Sequence, residues 1–371
     1  MKIIYVGPMK IPISSEKGAI EEIIWRVALE LHKRSFQVGI YNPIASNTLS
    51  KIAASVALYT FLHERSILHF HDLISCISYV FAFRRNDKVV LLSLHYPPWI
   101  TKSKERLTIM YHLLKYLKTR QVIFAAPSMF IVNRLRAELG VNVFFLPNGV
   151  DISLFNPNKR NFRLREKLLG NKEILICYVA RIHPDKNHLD LLKAVRKLVL
   201  SGIKNFKVIF IGPVCGEFVN KKRKSSDYFS LLHRYIIKSH IEDYVEFAGE
   251  LPRRIIAEYL ASSDIYVHPS KVEAATPLAI IEAMASGLPV VAYNLVYYHG
   301  YLENHKNSIL LKKGDVNGLA NVLEALISQP HLRERLGMHA RIFIEKNLSW
   351  EKVVENYYIP VYNGLIENTS K

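Results

Sequence analysis

The chain has 371 residues, more than one ordinary core holds, so two domains are expected. Half of the residues are hydrophobic and 22% are charged, which excludes wholesale disorder. Fifty Lys and Arg against 32 Asp and Glu give a net charge of +18, which favours anionic partners: nucleotides, lipid phosphates or nucleic acids.

In chain order, residues 2–6 read as a strand, 19–34 as an amphipathic helix and 37–41 as a second strand, which together make a βαβ unit. Met1 leads directly into the apolar residues 3–6 without the longer apolar stretch of an export signal, so none is expected. Further strands at 66–70, 88–93, 122–125 and 143–146 predict a parallel, doubly wound sheet. The apolar runs 52–62 and 73–83 are shorter than the roughly 20 residues that span a bilayer, so any membrane contact would be peripheral.

His69 and His71 alternate at a strand end and are read as pointing to opposite faces, which disfavours a two-histidine metal site. His95 ends another strand before Tyr96, Pro97 and Pro98 and is read as facing a cleft. Residues 99–136 carry Lys102, Lys104, Arg106, Lys115, Lys118, Arg120, Arg134 and Arg136 against the single acid Glu105, interleaved with apolar residues. This reads as a basic amphipathic face suited to anionic headgroups, with a solvated helix over the core as the alternative.

Residues 148–169, rich in Asn and basic side chains, read as an exposed passage between halves. The expected domains are 1–160 with a returning segment 350–371, and 161–349. The second series has strands at 173–179, 207–211, 245–247, 265–268 and 290–292, and helices at 189–200, 254–261, 278–285 and 319–326. The run Lys221, Lys222, Arg223, Lys224 reads as a loop. Cys76, Cys177 and Cys215 fit neither a disulfide framework nor a zinc site, and a reducing, cytosolic compartment follows. Open parallel sheets bind ligands outside the carboxyl ends of their strands, so chemistry is expected in a cleft between two such sheets.

Gly18 directly precedes the first helix, where backbone amides can approach an anion; a plain loop-to-helix turn is the alternative. Neither a G-x-G-x-x-G fingerprint nor a Walker loop is present. In YVARIHPDKNHLDLLKAV, Arg181 and Lys186 flank a polar loop between a strand and a helix, where two cations could offset a diphosphate; a solvated loop is the alternative. In HPSKVEAATPLAIIEAMASGLPVVAY, Glu273 stands in a loop and Glu282 in an apolar helix where a buried carboxylate needs partners, which sugar hydroxyls would supply. The alternatives are an exposed loop acid for Glu273 and a capping or salt-bridged core acid for Glu282.

Together with GAIEEIIWRVALEL, HFHD, LSLH and FLPNGVDISLF, these stretches resemble the GT-B glycosyltransferases, in particular the retaining enzymes called family 4, or group 1. The resemblance implies an α/β fold of two Rossmann-like parallel-sheet domains facing across a cleft, with the segment from Trp350 returning to the N-terminal domain. It implies that the C-terminal half binds a UDP- or GDP-linked sugar, with no cofactor and no metal, through Arg181 and Lys186 on the diphosphate and Glu282 on the ribose. Glu273 is similar to the family's sugar-contacting acid, Gly18 to the glycine that meets the phosphate, and His95 to the histidine beside the transferred sugar. Leu278 would also line the donor site.

Three departures stand out. Ala19 replaces a second glycine, eight residues rather than seven separate Glu273 from Glu282, and the αL-tolerant Asn187 follows Lys186 where glycine is common. Without an Asp-x-Asp motif, cationic side chains must take the diphosphate. The expected activity is transfer of a hexose to a lipid-linked or membrane-surface glycan with retention of configuration. The alternatives are a non-catalytic nucleotide or nucleic-acid binder, although no nucleic-acid module is recognisable, and a sugar-nucleotide epimerase.

Overall fold

A computed structural model describes residues 1–9, 11–14, 18–45, 47–60, 65–83, 88–97, 99, 103–214, 222–273 and 277–368. The chain divides into two units, Met1–Gly149 with Trp350–Lys371, and Val150–Glu273 with Pro277–Ser349.

The first unit holds β1 (Lys2–Val6), β2 (Val38–Tyr41), β3 (Ser66–Phe70), β4 (Lys88–Ser93), β5 (Ile123–Ala126) and β6 (Val143–Phe145) in the order β2-β1-β3-β4-β5-β6. Every neighbouring pair is parallel. The chain steps from β1 to β2 and then returns to the other side of β1 for β3, so the order reverses between β1 and β3. β3 is buried along its whole length, as a parallel strand covered on both faces must be, and its polar members Ser66 and His69 go inside with it.

The strands alternate with α1 (Ala19–Lys33), α2 (Thr48–Thr60), α3 (Leu73–Ala82), α4 (Lys104–Thr119) and α5 (Met129–Leu139). Local chemistry sets two of the starts. Asp72 accepts the Ser75 backbone N–H at 2.9 Å to open α3, and Ser103 accepts that of Arg106 at 3.3 Å to open α4. Helices α2 to α5 pack side by side in sequence order.

The second unit repeats the architecture. Strands β7 (Ile174–Val179), β8 (Phe206–Ile211), β9 (Val245–Gly249), β10 (Ile265–His268), β11 (Val290–Tyr293) and β12 (Ser308–Leu311) form a parallel sheet in the order β12-β11-β10-β7-β8-β9. Its order reverses between β7 and β10. The helices are α6 (Phe162–Leu169), α7 (His188–Leu200), α8 (Lys222–Ser239), α9 (Arg253–Ser262), α10 (Leu278–Ala285), α11 (Val316–Ser328) and α12 (Pro330–Asn347). Residues from Trp350 then rejoin the first unit as α13 (Trp350–Val353), a π-helical turn (Val354–Tyr358) and α14 (Ile359–Asn368). Tyr362 of α14 reaches the buried polar groups of the first sheet, 2.6 Å from the Tyr5 hydroxyl and 2.7 Å from His69 Nδ1.

The two-sheet α/β expectation agrees with this fold, but several details differ. The division falls between Gly149 and Val150 rather than at 160, and residues 150–169, although many are exposed, are part of the second unit rather than a passage between halves. Phe155 is fully buried, the Asn161 backbone N–H donates to Ser262 Oγ at 2.9 Å, and Arg165 pairs with Asp264 at 2.7 Å. The polar residues that suggest a linker are caps and ion-pair partners of the second unit. β12 lacks a strong enough apolar run to be expected. Lys222, Arg223 and Lys224 open α8 rather than a loop.

The basic face over α4 and α5 is largely committed to the fold. Lys118 donates to the Leu139 carbonyl, Arg120 to those of Val80 and Phe83, and Arg136 to that of Val143, while Arg134 pairs with Glu138 and lies 4.1 Å above the Trp99 ring. Pro98, Lys102, Cys215 and Lys221 lie outside the described residues. Cys76 and Cys177 are buried thiols.

Candidate active site

The order reversal between β7 and β10 marks where an open parallel sheet forms a ligand crevice at its carboxyl edge. The chain leaves β7 through Arg181, which is exposed, and a 3-10 turn over Pro184–Lys186. Asn187 follows with φ 55° and ψ 45°, the left-handed conformation that suits Asn where glycine is common. Its side-chain amide donates to Asp190 at 2.7 Å and to the Pro269 carbonyl at 3.0 Å, tying the β7 loop to the end of β10. The Tyr178 hydroxyl donates to the Lys186 carbonyl at 2.6 Å, which fixes that residue's backbone. Beside it Gly212, at φ 145°, sits so close that a Cβ would lie 2.2 Å from the Ala180 carbonyl oxygen.

Lys186 and Glu273 are brought into direct contact, with Nζ 2.5 Å from Oε1. The same carboxylate oxygen lies 2.9 Å from His268 Nε2, and His268 Nδ1 lies 3.1 Å from the Tyr266 hydroxyl. Burial drives the His268 imidazole below its usual range, against the opposing pull of Glu273. The neutral ring then donates from Nε2 to the carboxylate and accepts from Tyr266 at Nδ1. Burial alone would raise the Glu273 carboxyl, but the His268 hydrogen bond and the Lys186 charge outweigh it and hold it at about 2. Glu273 is therefore a buried, ionised group and not an exposed loop acid.

Glu282 is buried in α10, where its Oε1 pairs with the Arg253 guanidinium of α9 at 2.8 Å. Arg253 in turn lies 5.2 Å over the Phe155 ring. The carboxylate thus has a protein partner, as the salt-bridged alternative holds. Leu278, half-buried, is the first residue of α10.

In the first unit Gly18 caps α1 with φ 79°, a conformation that L side chains rarely adopt, and a Cβ there would lie 2.1 Å from Glu21 Oε2. The carboxylate of Glu21 folds back over the helix start, where the helix dipole favours an anion. His69 and His71 do not diverge. Residues two apart on a strand share a face, and their rings are 4.4 Å apart.

His69 bridges Tyr362 and Ser93, each at 2.7 Å, while His71 Nδ1 lies 2.8 Å from His95 Nε2 at the end of β4. Burial pushes His69 down to about 3 and His95 to about 4, so this cluster is neutral near pH 7. Among the described residues no three His, Cys, Asp or Glu side chains group as metal ligands.

Sequence reasoning missed His268, Tyr266 and Arg253, and it placed His71 on the wrong side of its strand. Tyr266 and His268 carried a signal in their period-2 spacing on a strand that ends at the crevice. The Arg253 to Glu282 pair joins two helices and leaves no local trace.

Residues 160–343 match the family described as glycosyl transferases group 1. Among curated proteins the chain is 28% identical over 186 residues to the UDP-Gal:alpha-D-GlcNAc-diphosphoundecaprenol alpha-1,3-galactosyltransferase of Escherichia coli, covering 49% of this chain and 44% of that one. It spans about half the length of the curated relatives it matches, 46% for the D-inositol 3-phosphate glycosyltransferase of Thermobifida fusca. Among solved structures it superposes on sucrose-phosphate synthase from Thermosynechococcus elongatus with a TM-score of 0.82 at 16% identity, covering 99% of both chains. On Anabaena Alr3699/HepE in complex with UDP-glucose the TM-score is 0.78 at 19% identity, covering 98% of this chain and all of that one. The likeness to these two structures is one of fold, that of the GT-B class. Through the match over residues 160–343, the chain belongs to the glycosyl transferases group 1.

Proposed function

We propose that the protein transfers a hexose from a UDP- or GDP-linked sugar to a lipid-linked or other membrane-surface glycan, with retention of anomeric configuration and without a metal. The observation that carries this reading is the Lys186 to Glu273 contact at the β7/β10 reversal, a preset cation and carboxylate where such sheets take ligands. Arg181 and Lys186 offset the charge that builds on the diphosphate as the sugar to phosphate bond breaks. The departing phosphate oxygen takes the proton of the acceptor hydroxyl as the new glycosidic bond forms on the same face. Glu273 contacts the sugar, Glu282 the ribose, Gly18 the phosphate and His95 the transferred sugar. The UDP-glucose bound by Alr3699/HepE supports the donor class, and the diphosphoundecaprenol-linked acceptor in the E. coli relative's name supports the acceptor class.

The test is a panel of UDP- and GDP-sugars screened by thermal shift, followed by nucleotide diphosphate release with a polyprenyl-diphosphate-linked sugar as acceptor. One donor raising the melting temperature and releasing its nucleotide only with acceptor is the expected result. No stabilisation by any donor, or release without acceptor, counts against transfer.

A further inference from the structure

His71 sits where the first sheet reverses its order, directly after β3, and its backbone is pinned on both sides. Its N–H donates to the Val6 carbonyl at 3.1 Å, and the next residue, Asp72, opens α3 by accepting the Ser75 N–H. His95 stands at the end of the neighbouring strand β4. The two rings meet edge to edge: His71 Nδ1 is 2.8 Å from His95 Nε2, the centroids are 5.1 Å apart and the planes differ by 19°. Ring nitrogens that close hold one hydrogen between them, donated by one ring and accepted by the other.

Which ring donates is decided on the His71 side. Burial holds both imidazoles neutral, His95 at about 4 and His71 well below the ordinary histidine range, so each ring carries a single N–H. His71 is buried, and its Nε2 has no hydrogen-bond partner among the described residues. The His69 ring packs against its face at 4.4 Å, a separation too short for an edge-to-edge approach, and both nitrogens of His69 are taken by Tyr362 and Ser93. If His71 Nδ1 accepted, the ring's hydrogen would sit on Nε2 as a buried N–H with nothing to receive it, an arrangement that folded proteins rarely keep. If Nδ1 donates, only a lone pair is left there. His95 makes no contrary demand: its Nδ1 bonds to none of the described residues and its ring is part-exposed, so water or a ligand can meet that atom in either state.

We infer that His71 is a positioning residue that fixes His95 as the Nδ1–H tautomer, so that His95 presents a hydrogen-bond donor, and no basic lone pair, to its ligand. A hydroxyl oxygen of the transferred sugar fits such a donor. This role rests on the proposed contact between His95 and that sugar, and it accords with the acceptor's proton going to the departing phosphate oxygen rather than to this histidine. The tautomer itself is read without any substrate.

The test is nitrogen-15 NMR of the full chain, labelled on its histidine rings, at about pH 7.5, with the His95 signals assigned by their loss in His95→Gln. The expected wild-type pattern is a hydrogen on Nδ1 of His95 and none on Nε2. His71→Leu should release His95 into a mixture of tautomers and lower kcat by about tenfold, the worth of one hydrogen bond, with donor KM little changed. His71→Asn, whose amide places a donor near the former Nδ1, should restore the pattern and most of the turnover. A hydrogen on His95 Nε2 in the wild type would overturn the inference, and that reading stands even if the His71 variants do not fold. So would an unchanged His95 tautomer in a folded His71→Leu protein. The expected tautomer with full turnover in both His71→Leu and His95→Gln would support the positioning and count against the contact between His95 and the sugar.

Discussion

The ammonium of Lys186 is bound to the carboxylate of Glu273 at 2.5 Å within one unit. The cation expected to meet a diphosphate therefore has an internal anionic partner, and a bound diphosphate would share or displace it. Glu273 is held from behind by His268, which in turn meets the Tyr266 hydroxyl, so a bound diphosphate would draw on Lys186 rather than on the carboxylate.

Lys186→Ala is expected to lower turnover by roughly 10² to 10³-fold, the usual loss when one stabiliser of developing charge is removed. It should also lower the melting temperature, because removing one partner of a buried pair strands the other and costs about 3 kcal/mol or more. Adding Glu273→Gln should recover most of the stability and none of the turnover. A double variant that regains turnover would take Lys186 out of the reaction.

Glu282→Ala is expected to weaken donor binding in calorimetry more than it changes turnover at saturating donor. Arg253→Ala leaves the carboxylate in place and removes its cation, so it measures the ion pair alone. If both variants lose stability equally and neither changes donor affinity, the acid is a core ion pair and not a ribose ligand.

Stability should fall as the pH drops below about 6.5. Burial holds His69 and His188 at about 3 and His95 at about 4, below the ordinary 6.5, so the unfolded chain takes protons first. Stability from these groups is complete above 6.5 and is lost as pH falls through the folded values, at up to about 1.4 kcal/mol per pH unit for each histidine. Denaturant titrations across this range read the slope directly. Stability independent of pH between 6.5 and 4 would mean that the histidines are not buried neutral.

Transfer is expected to persist in excess EDTA, because Arg181 and Lys186 are assigned the charge that a divalent cation would otherwise neutralise. Loss of activity on chelation, restored by magnesium or manganese, would reassign that charge to a metal.

Both parallel sheets were legible because buried strands such as Ile265–His268 are continuous apolar runs closed by turn residues. The loop holding Arg181 and Lys186 was legible too, since it separates a strand from an amphipathic helix. Contacts between distant segments were not. His268 behind Glu273, Arg253 on Glu282 and the capping uses of residues 148–169 depend on which elements the topology makes neighbours. The wrong reading of His69 and His71 has a simpler cause: residues two apart on a strand share a side, and the ladder keeps both rings together.

Tyr362 has a further consequence for synthesis. Tyr5 and His69 leave the ribosome 357 and 293 residues ahead of Tyr362, yet the hydroxyl that bonds to both arrives with α14. The leading lobe cannot reach its finished state before α14 has emerged, whereas the second unit, which precedes α14 in the chain, can fold ahead of it. Vectorial production thus reverses the order that the numbering suggests: the lobe made second is completed first, and the one made first waits for its keystone.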